Sequence, residues 1–315
     1  MTAAAPEIEV QQDTATPKRK RFQMDDWWGI LWVLPSILAV MVFVYGFIIW
    51  TARVSVSSWK GLTPDYTYVG AQNFVNLASD RRFHIDVKNT IIFTLVFVIG
   101  CLLIGLGLAI LLDKGIRAEG FYRSLFLFPM AISFIVTGVV WRWLMNPSTA
   151  EDRLSGLNLL FHNLHLDFLI NSWYATPTWG IAAVAIGAVW QMSGYTMALY
   201  LAGLRAVPET LREAARVDGA SEFQIYTRVI MPLLWPVTLA AVIILGHSSL
   251  KVFDLIIAMV GKQIALDVPS IYMWTTTFDG FFFGRGAAIG MVLLVSVAVL
   301  VIPYLWYSLR QESEG

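Results

Sequence analysis

Charge is scarce in this chain and it cancels: 22 Lys and Arg stand against 22 Asp and Glu, together 14% of 315 residues. Without a basic excess, no face is equipped to neutralise a phosphate backbone, and nucleic acid is excluded as a partner. Thiols are scarcer still. The one cysteine, Cys101, lies in an apolar run, so neither a disulfide framework nor a multi-thiolate metal site can come from this chain alone. The histidines His84, His162, His165 and His247 are scattered, and His162 with His165 lacks a third ligand at metal-site spacing, so no metal is expected. No stretch reads G-x-x-x-x-G-K-[ST]; the near match Gly261-Lys262-Gln263 lacks the earlier glycine and the hydroxyl. No nucleophile, base and orienting group gather in one region, so the chain is expected to bind no cofactor and to carry out no chemistry of its own.

What the chain has in abundance is apolar surface. It is 57% hydrophobic with a mean hydropathy of +0.65, too apolar for a soluble domain of this length. Six runs are long enough, at about 20 residues per span, to cross a bilayer: 29–50, 89–112, 124–141, 179–204, 229–250 and 286–309. They lack the alternation of a barrel strand, and backbone polar groups in lipid must then be satisfied within helices. The fold class is therefore all-α, a polytopic membrane protein with six transmembrane helices. Residues 1–28 form a polar tail containing Lys18, Arg19, Lys20 and Arg21, and 29–315 form the transmembrane domain. Pro35, Pro129, Pro236 and Pro303 fall inside runs, where proline frees a carbonyl and either kinks a helix or is tolerated. The tail cluster, Lys114, Arg117, Arg123, Arg205, Arg212, Arg216, Arg228 and Arg310 gather in short segments on one side, which puts both termini in the cytoplasm. Arg81, Arg82 and Lys88 argue mildly the other way.

Between the fourth and fifth runs, 205–232 is polar and reads as two short helices around a turn. Pro208 suits a first helical turn, Leu211, Ala214 and Ala215 share a face, and Asp218-Gly219 is a stop that calls for positive φ. Ser221 with Gln224 forms a capping box for the second helix, whose apolar face is expected at Phe223, Tyr226 and Ile230. Glu213-Ala214-Ala215, three residues, Gly219, nine residues and Val229-Ile230-Met231-Pro232 resemble the EAA motif of ABC importer permeases, with Val229 and Met231 in place of the usual Ile and Leu. Val189-Trp190-Gln191, Ala206-Val207-Pro208, Asp218-Gly219-Ala220 and Phe253-Asp254 are similar to the carbohydrate-uptake branch of that family.

The resemblance implies a sugar-importing permease in a prokaryotic inner or plasma membrane. Its implied partners are a second homologous permease, two copies of a cytoplasmic ATPase that binds ATP and Mg, an extracytoplasmic sugar-binding protein, the sugar itself and membrane lipid. It also implies that 205–232 couples to the ATPase through Glu213, Ala214, Ala215, Asp218, Gly219 and Pro232; the alternative is that Glu213 pairs with Arg212 or Arg216 on a solvated face. Aromatic and polar groups inside spans are costly unless they line a cavity, which makes Trp190, Gln191, Ser193, Tyr195, Ser248, Ser249, Lys251 and Asp254 pathway candidates. The alternatives are interhelical packing for Trp190 and a Lys251–Asp254 pair at the outer interface, roughly 28 Å along the helix from Pro232. The run Ser249 to Ile256 looks most like members that take up glucose or mannose. Two rival readings are a secondary transporter, which would need mid-membrane acids and an internal repeat, and a membrane-embedded enzyme.

Overall fold

The computed structural model describes residues 24–314, with side chains described from 32 onward except 307–309 and 311–314. Of the expected tail, residues 1–23 with the cluster Lys18 to Arg21 lie outside the described residues. The chain divides into two compact units that part between Trp50 and Thr51.

From Met24 the described residues of the first unit are one helical run, whose last helix carries on past Trp50. Met24–Val40 continues through a π segment, Met41–Gly46, into Phe47–Ser55, and Pro35 is absorbed without a break. From Trp32 its side chains are almost all exposed and apolar, the composition of a helix solvated by lipid rather than water.

In the second unit every regular element described is helical, with one isolated bridge between Ser57 and Tyr68. Its axis is the helix Arg81–Asp113, which begins well before the expected start at 89 because Asp80 caps it, accepting from the Arg82 amide at 2.7 Å. At 1.5 Å per residue this helix is roughly 50 Å long, more than the ~30 Å of a hydrocarbon core. It packs along Gly180–Ala206, burying Phe93, Phe97 and Cys101 with Val184 and Ala188 towards one end, and Ala109 and Leu112 with Met197 and Leu204 towards the other.

Two expected spans are broken. The third consists of Glu119–Leu127, a 3-10 turn Phe128–Ala131 and Phe134–Leu144, with a bend of 98° between its arms. Pro129 supplies no amide hydrogen, Ile132 is extended, and Ser133 caps the second arm by accepting from Val136 N at 3.3 Å. Gly194 makes room for the first arm, since a Cβ there would stand 1.9 Å from the Phe126 carbonyl oxygen. The fifth bends by 65° at Leu234, between Glu222–Leu233 and Trp235–Leu250, where the Pro236 ring excludes the carbonyl four residues earlier. Four described helices are long and apolar enough to cross a bilayer, and six spans result if each bent pair counts as one.

The stretch 251–285 separates the fifth and sixth expected spans. It folds into Asp254–Val260, Pro269–Trp274 and the π segment Thr275–Asp279, with Leu255, Ile256, Met259 and Ile271 in the core. The last helix runs Phe283–Glu314 and carries Pro303 without interruption.

Candidate functional site

The polar segment after Gly180–Ala206 folds as a helix, a tight turn and a second helix. Glu209–Val217 ends in a full Schellman turn: Ala220 N donates to Ala215 O at 3.0 Å, and Gly219 N donates to Arg216 O at 3.0 Å. Gly219 sits at φ +79°, and a Cβ there would meet nothing within 4 Å, so the position demands glycine for its backbone conformation and not for space. The capping box is present, with Ser221 N donating to Gln224 Oε1 at 2.8 Å and Gln224 N donating to Ser221 Oγ at 3.4 Å. Pro232 occupies the short helical stretch just before the Leu234 bend.

Two expected faces are different. Ile225 and Ile230 are buried while Phe223 is 77% exposed, because Ile225–Ile230 is a π segment and its wider turn puts residues five apart on one side. On the first helix only Ala215 packs inward, beside Arg212, whereas Leu211, Ala214 and the 87% exposed Val217 face outward. The segment thus leaves Leu211, Val217 and Phe223 exposed as apolar side chains, with Asp218 and Gly219 exposed in the turn.

Arg212 anchors the segment. Its Nη1 donates to Asp113 Oδ2 at 2.9 Å and its Nη2 to the Leu204 carbonyl at 3.1 Å, so it touches the ends of both long helices. Tyr226 OH reaches the same carboxylate at 3.5 Å. Arg216 pairs with Glu222 at 2.9 Å and Glu209 at 3.3 Å. The Glu222 hydrogen bond and charge, then Glu209, hold its guanidinium above the ordinary arginine range. Glu213 pairs with neither arginine. It is exposed and has no ion-pair or hydrogen-bond partner on its carboxylate among the described residues.

The pathway candidates separate into three places. Gln191, 2% exposed, donates from Nε2 to the Ile132 carbonyl at 2.6 Å, so it satisfies the acceptor freed by the broken third span; its Oε1 is buried without a partner. Trp190 lies edge-on to Trp141 at 6.1 Å, and Ser193 turns back to the Trp190 carbonyl at 3.4 Å, with Tyr195 half-buried nearby in the chain. Ser249 is buried between Thr94 Oγ1 at 2.8 Å and the Gly246 carbonyl at 2.7 Å. Lys251 and Asp254 do not pair with each other. Both line a hollow of about 200 Å³ with Ser248, Phe134 and Phe253, and neither side chain has an ion pair or hydrogen bond among the described residues.

A polar network at the start of Arg81–Asp113 had no place in the sequence reading. Arg82 donates from both Nε and Nη2 to one oxygen of Asp267, Oδ2, and from Nη2 to Thr275 Oγ1 at 2.9 Å, while Asn89 Nδ2 donates to the Ala265 and Asp267 carbonyls at 3.0 and 2.9 Å. Asp80 accepts from Tyr272 OH at 2.7 Å and pairs with Arg285. Burial pushes the Asp80 carboxyl up, but Tyr272, the Arg82 amide and Arg285 outweigh it and hold the group below the usual range. Asp86, one turn after Arg82, is fully buried and neither oxygen has a hydrogen-bond partner among the described residues. The one signal available in sequence was Asp80 preceding a pair of arginines, a helix start that the apolar window passed over. Among the described residues no group of His, Cys, Asp and Glu could hold a metal ion.

Residues 101–311 match the family described as binding-protein-dependent transport system inner membrane component. A probable ABC transporter permease of Pyrococcus horikoshii is 39% identical over 285 residues, 90% of this chain and 96% of its own length. The xylose/arabinose import permease of Haloferax volcanii is 35% identical, covering 90% of this chain and 87% of the relative, and the trehalose/maltose transport system permease of Thermococcus litoralis is 30% identical, covering 88% and 92%. Among solved structures, a bacterial ABC transporter involved in import of the polysaccharide alginate superposes with a TM-score of 0.73 at 22% identity, over 91% of this chain and 96% of that one, which establishes the shared fold.

Proposed function

This chain belongs to the family of binding-protein-dependent transport system inner membrane components, and on that premise we propose that it is the permease of an ATP-driven importer carrying a sugar into the cytoplasm. Relatives named for xylose/arabinose and for trehalose/maltose support the sugar class. Glucose, mannose or a related glycoside is the narrower proposal, supported by the run Ser249 to Ile256. The proposed assembly adds a second homologous permease, two ATPase subunits that bind ATP and Mg, and an extracytoplasmic sugar-binding protein. Both termini are proposed to be cytoplasmic; that Arg82 is neutralised by Asp267 weakens the charge argument for the opposite orientation.

The observation that carries the reading is the Glu209–Val217 helix, with exposed apolar side chains on its outer side and Arg212 tying it to the long helices. Leu211, Val217 and Phe223 offer apolar contact to a partner, and the unengaged Glu213 offers a charge-assisted hydrogen bond. A displacement of this helix reaches both long helices through Arg212, whose partners are Asp113 and the Leu204 carbonyl. Because those two helices are packed along their length, they move as one body, and the bends at Ile132–Ser133 and Leu234 let the flanking arms reorient. The hollow holding Lys251 and Asp254 beside Phe134 then supplies charged acceptors and donors with an aromatic face, the groups a sugar needs.

The test is Gly219→Val with Glu213→Ala in vesicles reconstituted with the ATPase and binding protein. A β-branched residue at positive φ costs about 1–3 kcal/mol locally, so membrane abundance should hold while ATPase association and substrate-stimulated hydrolysis fall. Parental uptake in both variants would refute the coupling role.

A further inference from the structure

We propose that the groove between the Arg81–Asp113 helix and the Glu222–Leu233 segment holds an acyl chain of one anionic phospholipid, with Lys114 at its phosphate. This rests on the chain spanning a membrane and not on which solute it carries.

The groove has a volume of about 430 Å³. Leu106 and Ile110 form one wall, Tyr226 and Met231 the other, the exposed Phe223 adds its ring to the lining, and Lys114 and Glu222 stand at the rim. Each wall residue packs its inner side on the core around Met197 and Leu204 and leaves the outer side open, so the floor is well formed and nothing among the described residues covers it. The rim is not neutral. Glu222 is engaged by Arg216 at 2.9 Å, whereas Lys114 is exposed with no ion pair among the described residues. Arg228, next to the groove-lining Thr227, is likewise exposed and unpaired. The mouth therefore carries free positive charge above an apolar slot.

Position and size select the occupant. Lys114 is the C-cap of a span, the level at which lipid headgroups meet a helix end, and a long basic side chain there is well placed for a phosphate. A helix is about 10–12 Å across, so this space would take little more than one turn of a protein partner. A thin flexible chain fits it, and one cation at the mouth matches one phosphodiester. Tyr226 connects the slot to Asp113 and so to Arg212, which makes an occupied groove a brace for the segment beside it.

The full chain, stripped of lipid in detergent, is titrated with phosphatidylglycerol or phosphatidylcholine, and bound lipids are counted by native mass spectrometry. The parent should retain one phosphatidylglycerol more than Ile110→Trp, which fills the slot, or Leu106→Phe, which narrows it with less risk to folding. Lys114→Glu should still bind through the acyl chain but lose the parental preference for phosphatidylglycerol, about fivefold for one basic residue. Val295→Trp, on an exposed face of the last helix, should behave as the parent. Equal counts in parent, Ile110→Trp and Leu106→Phe overturn the proposal. So does displacement of the lipid by inorganic phosphate, which would mark a soluble-phosphate site, or a changed oligomeric state in Ile110→Trp with lipid counts untouched, which would mark a second copy as the occupant. None of these readouts depends on uptake, so they stand or fall separately from the transport reading.

Discussion

The two ends of the Arg81–Asp113 helix are each held by an arginine–aspartate pair, and the two pairs are built differently. At the start, Arg82–Asp267 is one contact in a mesh that also includes Asp80, Asn89, Tyr272, Thr275 and Arg285, drawn from both ends of the sequence. At the finish, Asp113–Arg212 has fewer companions: the Leu204 carbonyl, a long contact from Tyr226 and Glu209 at 3.7 Å from Arg212 Nε. A mesh resists displacement because every member fixes several others, whereas a single charge-assisted link passes a push along without locking the segment that delivers it. One end thus behaves as a fixed bearing and the other as a lever.

The largest effect should come from breaking the bearing. Asp267→Ala leaves Arg82 without its counter-ion in a site where the carboxylate is 2% and the guanidinium 27% exposed. Removing one partner of a buried pair costs about 3–5 kcal/mol, and the partial access of water to Arg82 puts this case at the low end. Thermal unfolding in detergent should show the loss, and the apolar double replacement Arg82→Met with Asp267→Leu should recover most of it. If the double variant is as unstable as the single, the mesh and not the pair sets the stability of this end.

A smaller effect is expected at the lever. Arg212→Ala strands Asp113, which is 8% exposed, and a buried acceptor losing its donor costs about 1–3 kcal/mol. Hydrogen exchange should quicken over Glu209–Val217 and stay unchanged around Arg82. Arg212→Lys should restore the charge but not the reach to both Asp113 and the Leu204 carbonyl, and so recover only part of the protection. Exchange spreading to the Arg82 end would erase the distinction between the ends.

The lever was easier to read from sequence than the bearing. Gly219 and the Ser221–Gln224 box act over a few residues, and the structure has both as local rules require, whereas Pro208, expected in the first helical turn, stands one residue before it as the N-cap with an extended ψ of 132°. The bearing joins residues 80–89 to 265–285, and no local pattern encodes a pairing across that separation. Proline shows the same limit within one residue type. Pro35 and Pro303 stay inside continuous helices, whereas Pro129 and Pro236 sit at breaks. What separates Pro129 from the tolerated cases is Gly194 and Gln191 on another helix, one making room for the broken chain and the other satisfying its carbonyl. The π segment Ile225–Ile230 explains the misplaced Phe223 in a similar way, since a pattern read at 3.6 residues per turn cannot anticipate a wider one.

The smallest effect sharpens the comparison on the bearing side, where the loop before Gln72–Ala78 leans on the last helix. Trp59 stacks on Phe283 at 4.8 Å and its carbonyl accepts from Gly284 N at 3.0 Å, next to the Arg285 that pairs with Asp80. Asp65 shapes this loop from solvent: its Oδ2 accepts from Ser58 Oγ at 2.6 Å and its Oδ1 from Thr67 N at 3.0 Å. Those hydrogen bonds, Ser58 first and then Thr67, draw the carboxyl down to about 2. A depressed folded-state value means the contribution is fully present above the unfolded value of about 3.9 and is lost as pH falls through the folded one. Exchange of the Thr67 amide should therefore be protected at pH 5 and should lose that protection between about pH 4 and 2, beyond the intrinsic pH dependence of exchange. Asp65→Asn should show no such step, and in both proteins the Arg82 region should hold through the same range. A step at Thr67 that persists in Asp65→Asn would assign the loop's acid sensitivity to the buried mesh behind it, and the bearing would then be the softer of the two ends in acid.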